Sequence, residues 1–105
     1  MFEALEMSLV VLERLAPVEA RIRQSRSLAR QLADASASVA LNLGEGRLRK
    51  DGDRRRHYEM AAGSASEVTV ALRIALAKRY ITAAELAPVE ESLDRVRAML
   101  FRLVR

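Results

Sequence analysis

Four apolar stripes at helical spacing, separated by breaks of only a few residues, constrain this chain more than any other feature. Apolar residues that recur at intervals of three and four mark one face of an amphipathic helix. Phe2, Leu5, Leu9, Leu12 and Leu15 form the first stripe, and Val18 and Ile22 extend it past Pro17. Proline has no amide hydrogen and its ring clashes with the carbonyl four residues back, so a kink or a stop is expected there. Ser25 and Ser27 offer caps for a second helix. That helix is predicted from about Leu28 to Arg47, on Leu28, Leu32, Ala35, Val39 and Leu43, and Gly44 or Gly46 can supply the left-handed residue on which helices end.

A third helix is predicted from Asp51 or Asp53, whose carboxylates suit an N-cap, to about Tyr80, on Tyr58, Ala61, Ala65, Val68, Leu72 and Ala75. At about 1.5 Å per residue it exceeds roughly 35 Å. The fourth opens on Thr82 to Glu85, which fits a capping box, and continues on Leu86, Val89, Leu93, Val96, Leu100 and Leu103. Pro88 predicts a regular ladder that starts later than this cap. No useful stretch alternates with a period of two. The expected fold is therefore all-α, an antiparallel up-down-up-down four-helix bundle in a single domain over residues 1–105.

Composition narrows the chemistry. The chain has no cysteine, so it has no disulfide framework, no thiolate nucleophile and no cysteine metal site. The N-terminus lacks a basic segment followed by an apolar core, and no apolar run approaches the roughly 20 residues that cross a bilayer. A cytoplasmic protein without a membrane partner is expected. The net charge of +4 is concentrated in one place. Between Arg47 and His57, the six basic residues Arg47, Arg49, Lys50, Arg54, Arg55 and Arg56 face only Asp51 and Asp53, while charges elsewhere balance. Such a run is either a directed anion-binding feature or a solvated helix start.

Two further patterns stand out. Ser38, Asn42 and Glu45 share one helix face beside the apolar row of the second helix. Buried polar groups need partners, so this row is either an interior network that fixes helix register or the wall of a site. An antiparallel third helix would bring positions near 55–67, including Ser64 and Glu67, opposite it. The runs Ala33–Ala40 and Ala61–Ser66 consist of small residues that let helices approach closely. Gly63, inside a predicted helix at a cost of about 1 kcal/mol relative to alanine, suggests a close contact that needs its space. Val70, Ile74 and Ile81 lie off the third stripe and could cover a neighbouring subunit.

Catalysis is disfavoured. Carboxylate-bridged metal bundles need several inward glutamates and Glu-x-x-His pairs, and this chain has a single histidine, so no metal or other cofactor is expected. His57 reads as a helix-surface or packing residue. Ser38, Ser64 and Ser66 have no evident base, and the segment from Gly44 to Lys50 lacks the spacing and the Lys-Ser/Thr ending of a P-loop.

The segments from Gln31 to Arg47 and from His57 to Val68, followed by Lys78 to Ile81, resemble the four-helix proteins encoded within intervening sequences of bacterial 23S ribosomal RNA genes. They are also similar to the accessory variability determinant proteins of diversity-generating retroelements. The residues that carry the likeness are Ser38, Asn42, Glu45 and Gly46, then Ala61, Gly63, Ser64 and Glu67. Three positions depart from the pattern: Gly44 stands in place of a usual Ala, Arg54 where an aromatic is frequent, and Arg79 where a Gly commonly precedes the Tyr-Ile pair. The resemblance implies a homopentameric ring without established catalytic activity, and a nucleic-acid role.

The first reading is a non-enzymatic oligomer that presents its basic turn to RNA or DNA phosphates, for which the planar, always-charged arginine fork is well suited. The second is a scaffold that docks a partner enzyme such as a reverse transcriptase. An enzyme comes a distant third. With only four aromatic residues, base stacking is disfavoured and any binding is expected to be directed at the backbone.

Overall fold

The computed structural model describes residues 2–105 and consists of four helices, α1 (Glu3–Arg21), α2 (Arg26–Leu48), α3 (Asp51–Ala77) and α4 (Ala83–Val104). No strand occurs among the described residues. Each helix packs beside two others, α1 and α3 each lying against both α2 and α4, in a bundle measuring 42 × 23 × 19 Å. All the apolar positions predicted for α2 and α3 are buried, and so are those of α4 except Leu103, which is half-buried.

The stripe of α1 differs from expectation. Ala4, Ser8, Val11, Leu15, Val18 and Ile22 face the core, whereas Leu9 is 40% exposed and Leu5 and Leu12 are half-buried. This helix carries apolar residues around most of its circumference from Leu5 to Leu12, so spacing alone fits more than one face. Packing selects the row with Ala4 and Ser8, whose small side chains let α1 settle onto its neighbours. Ser8, Ser36 and Ser92 are the buried polar side chains of the core. Each donates to a carbonyl of its own helix, Leu5, Ala33 and Val89 at 2.6, 3.1 and 3.0 Å, so no partner from another helix is required.

The helix ends differ from the expected ones at several positions. Pro17 does not end α1, which continues to Arg21, and α4 is regular from Ala83 with Pro88 inside it. Gly44 and Gly46 lie within α2, and neither has a positive φ. Ser25 occupies the N-cap of α2, and Lys50 that of α3, without a side-chain cap bond. The left-handed positions are Asp51, with φ 51°, and Arg79, with φ 61°. Asp tolerates this region better than most residues, whereas a long side chain carries a steric penalty there.

Arg79 closes α3 in a Schellman arrangement. Its N–H reaches the Leu76 carbonyl and that of Tyr80 reaches Ala75, both at 3.0 Å. Tyr80 then packs against the core and Ile81 is 3% exposed, so Ile81 anchors the connection from within. It cannot cover a neighbour as its place off the α3 stripe suggested. The capping box at Thr82 is present: the Thr82 N–H donates to Glu85 Oε1 at 2.9 Å, and the Glu85 N–H to Thr82 Oγ1 at 3.1 Å.

By length and composition α3 is long and apolar enough to cross a bilayer, which the sequence pattern had not suggested. Small residues rather than large apolar ones make it so, and Ala61, Ala65, Val68, Leu72 and Ala75 form the bundle core.

Two measurements follow. Arg79→Gly relieves the left-handed penalty and is expected to raise stability by about 1 kcal/mol in chemical denaturation; no gain would show that the turn carries no such strain. The Thr82 backbone bond, reinforced by Arg21 at 3.3 Å, holds the Glu85 carboxyl below its ordinary range. A carboxyl depressed by folding stabilises the protein above its unfolded pKa and loses that contribution as pH falls through the folded value. The stability gap between parent and Glu85→Gln should therefore close on acidification, and a pH-independent gap would reject this role.

Candidate nucleic-acid interface

The small residues of α2 and α3 make this the most extensive helix pair in the bundle, and its register sets the site. Ser38 meets Ser64, Asn42 meets His57, and Gly46 meets Tyr58 and the Cβ of His57. Gly46 is required by this approach. A Cβ added there would stand 2.5 Å from Tyr58 Cε1 and 2.7 Å from Cδ1. Gly63 has no such role, since nothing within the chain lies within 4 Å of the position its Cβ would take. The room for a close contact that was expected at Gly63 is used at Gly46 instead.

The polar row resolves into a network that differs from the predicted one. Ser64 Oγ donates to Ser38 Oγ at 2.9 Å, and Asn42 Nδ2 donates to Ser38 Oγ at 3.1 Å and to the Ser38 carbonyl at 3.0 Å. With its amide nitrogen so used, Asn42 accepts through Oδ1 from His57 Nδ1 at 3.1 Å, which places a proton on that ring nitrogen. Glu45 and Glu67 are exposed and take no part. Glu45 lies one helical step too far around α2 and pairs with Arg49 instead. His57, which the sequence suggested was a surface or packing residue, completes the network. Its spacing from the basic run gave no signal, because the partner lies on another helix.

The basic turn lies at the junction of α2 and α3. Arg54 is turned back toward α2: its Nε donates to the Gly46 carbonyl and its Nη2 to the Arg47 carbonyl, each at 3.1 Å. The last carbonyls of a helix have no intrahelical partner and carry partial negative charge, so a guanidinium caps them well. Arg54 is thereby committed to holding the turn.

The other five cations are exposed, and three of them are in ion pairs. Arg49 bridges Glu45 at 3.2 Å and Asp53 at 3.6 Å, Arg56 meets Asp53 at 3.2 Å, and Arg55 meets Glu59 at 3.8 Å. Counting Glu45 and Glu59, which the structure brings against the turn, lowers the local excess from +4 to +2. Pairs this exposed are worth only about 0–1 kcal/mol and are screened by salt, so a phosphate can compete for these guanidiniums. Arg47 and Lys50 have no carboxylate partner among the described residues.

Residues 3–102 match the model of the 23S rRNA-intervening sequence proteins, and the chain belongs to that family. A crystal structure from Bacteroides thetaiotaomicron, of a protein of unknown function in the S23 ribosomal protein family, is similar in fold. It superposes with a TM-score of 0.87 at 15% identity, over 97% of this chain and 98% of that one. No curated protein matches the chain.

Substitutions should separate structural from surface positions. Asn42→Leu leaves Ser38 and His57 without their shared partner and is expected to cost about 1–3 kcal/mol. Gly46→Ala should also destabilise through Tyr58, and Arg54→Ala should lower the melting midpoint, whereas Glu45→Ala should leave it nearly unchanged. A melting midpoint insensitive to Asn42→Leu would remove the network from the forces that fix the α2–α3 register.

Proposed function

We propose that this chain is a non-enzymatic, oligomeric, RNA-associated protein that uses its α2–α3 turn to bind nucleic-acid phosphates. Its helices follow an antiparallel up-down-up-down course, consistent with the α2–α3 pairs and with Arg14 and Arg21 reaching Pro88 and Glu85 of α4. The observation that carries the reading is the turn itself. Five exposed cations surround a segment that Arg54 holds against α2, so the charge is presented on a fixed frame. Membership in a family defined by ribosomal RNA intervening sequences favours RNA as the polyanion.

The non-enzymatic part rests on the use made of the candidate groups. His57 Nδ1 is spent on Asn42 and Ser64 on Ser38, so neither serine has a base aimed at it. The oligomeric part, a homopentameric ring, draws on the large apolar side chains left on the outside of the bundle, Leu41 and Leu48 on α2 and Val70 and Ile74 on α3. A ring would repeat the turn in each subunit, so weak single contacts would add as avidity where a ligand spans several sites.

Docking of a partner enzyme such as a reverse transcriptase is the second reading. It is favoured by Phe101, which is exposed on α4 with the Arg105 guanidinium 5.6 Å above its ring, a pairing suited to protein contacts.

Phosphate binding releases counterions, so affinity for RNA should fall with salt at a log-log slope of about −0.7 per neutralised phosphate on single strands. The double variant Arg55→Glu, Arg56→Glu is expected to lose this binding while keeping parental helicity and mass. A folded, correctly assembled variant that binds RNA with the parental salt slope would overturn the reading.

A further inference from the structure

Leu41 and Leu48 are the most exposed large apolar residues described, at 69% and 79%. On a helix of 3.6 residues per turn they stand across α2 from the buried Leu32, Val39 and Leu43, so they point directly away from the core. Ala37, Leu41, Gly44 and Leu48 follow one another at intervals of four, three and four, the spacing of a coiled-coil seam. Gly44 sits in the middle of this ridge with nothing in its own chain within 4 Å of the position a Cβ would take. A glycine inside a helix is unfavourable, and no contact within the chain uses the room it leaves.

A surface of matching chemistry lies between α1 and α4. Met7, Val10 and Met99 line a groove there, and Glu3, Glu6 and Glu13 bring three carboxylates to it against the single guanidinium of Arg95. None of the three forms an ion pair among the described residues. The ridge has the opposite charge at its end, where Arg47 and Lys50 flank Leu48 and are likewise unpaired. Height agrees as well. Phe2 and Tyr58 stack with ring centroids 6.0 Å apart, so the start of α1 lies at the same end of the bundle as the basic turn.

We propose that the outer ridge of α2 in one copy seats in the α1–α4 groove of the next, with Leu41 and Leu48 on its apolar floor and Arg47 and Lys50 against Glu3 and Glu6. This rests on the reading that the protein is oligomeric, and it identifies the two faces that join. The faces differ and lie on separate sides of one chain, so the contact is heterologous and runs head to tail. Because α2 occupies a corner of the bundle, its outer face and the groove are not diametrically opposed. Successive copies therefore turn, as a closed ring requires. Gly44 lets the neighbouring backbone approach between the two leucines. Arg47 and Lys50 then serve the interface, and the phosphates are left to Arg49, Arg55 and Arg56.

Charge reversal tests the pairing. Light scattering on the full chain should give several times 11.7 kDa for the parent, and the single-chain mass for either Arg47→Glu, Lys50→Glu or Glu3→Lys, Glu6→Lys alone. All four side chains are exposed, so helicity and melting should show both variants folded. An equimolar mixture of the two should form complexes larger than a single chain, because each reversed face then meets a complementary one; strict alternation closes only even-numbered rings, so the mixed species should hold equal numbers of the two variants and differ in mass from a pentameric parent. Leu41→Ser, Leu48→Ser provides a second variant that should disperse the assembly without altering any charge. Variants that keep the parental mass, or monomeric variants whose mixture stays monomeric, would overturn this pairing while leaving the oligomeric reading intact. A parent that is monomeric at every concentration would overturn both.

Discussion

The close approach of α2 to α3 governs the rest of the molecule. Where Gly46 meets Tyr58 and Ser38 meets Ser64, the backbones come near enough for short side chains to hydrogen-bond directly. Ser38 can reach Ser64 only because no bulky residue intervenes, and Asn42 then falls opposite His57. The same register brings Arg54 beneath the end of α2, where it holds the carbonyls of Gly46 and Arg47. A single packing choice thus positions the polar network and the basic turn together.

Small side chains supply little apolar area per residue, so the pair does not carry the core alone. Large residues on the other helices complete it, among them Leu15 and Ile22 near the end of α1 and Leu86, Leu93 and Leu100 on α4. Burying such a side chain is worth about 1.5–3 kcal/mol, and these residues lie where α1 and α4 close over the α2–α3 pair. The division of labour is physical: the small residues of α2 and α3 give proximity and direction, while large side chains from all four helices fill the core. The buried serines do not disturb this, since each is satisfied by its own helix.

The outside of the bundle has its own pattern. Gly44 and Gly63 both face outward with open space, beside Leu41 and Leu48 on α2 and Val70 and Ile74 on α3. For a chain of this size, burial within one copy leaves substantial apolar surface. A glycine that relieves no contact inside the chain is readily explained by an approach from outside it. The exposed ion pairs along the turn, by contrast, hold little energy, so that end of the bundle can exchange a carboxylate for a phosphate.

Much of this was legible in the sequence, because helical periodicity and capping depend on residues a few positions apart. The four helices, the buried rows of α2, α3 and α4, the Thr82–Glu85 box and the location of the charge could all be read from local spacing. The family could be read from the segments around Asn42 and Ser64. The face of α1 was not legible, since apolar residues surround that helix and only its neighbours select a side. Nor were the roles of single polar residues. Glu45 and Asn42 share a helix face, yet a rotation of one position decides that Asn42 meets His57 while Glu45 meets Arg49. Arg54 and Arg55 are adjacent, but the first faces the carbonyls of α2 and the second faces solvent and Glu59. Periodicity specifies which residues lie on a helix and roughly which side they share; it does not specify the rotation and depth at which two helices meet. Those are decided by side-chain volume across the tertiary contact, where Gly46 against Tyr58 determines how near the helices can come.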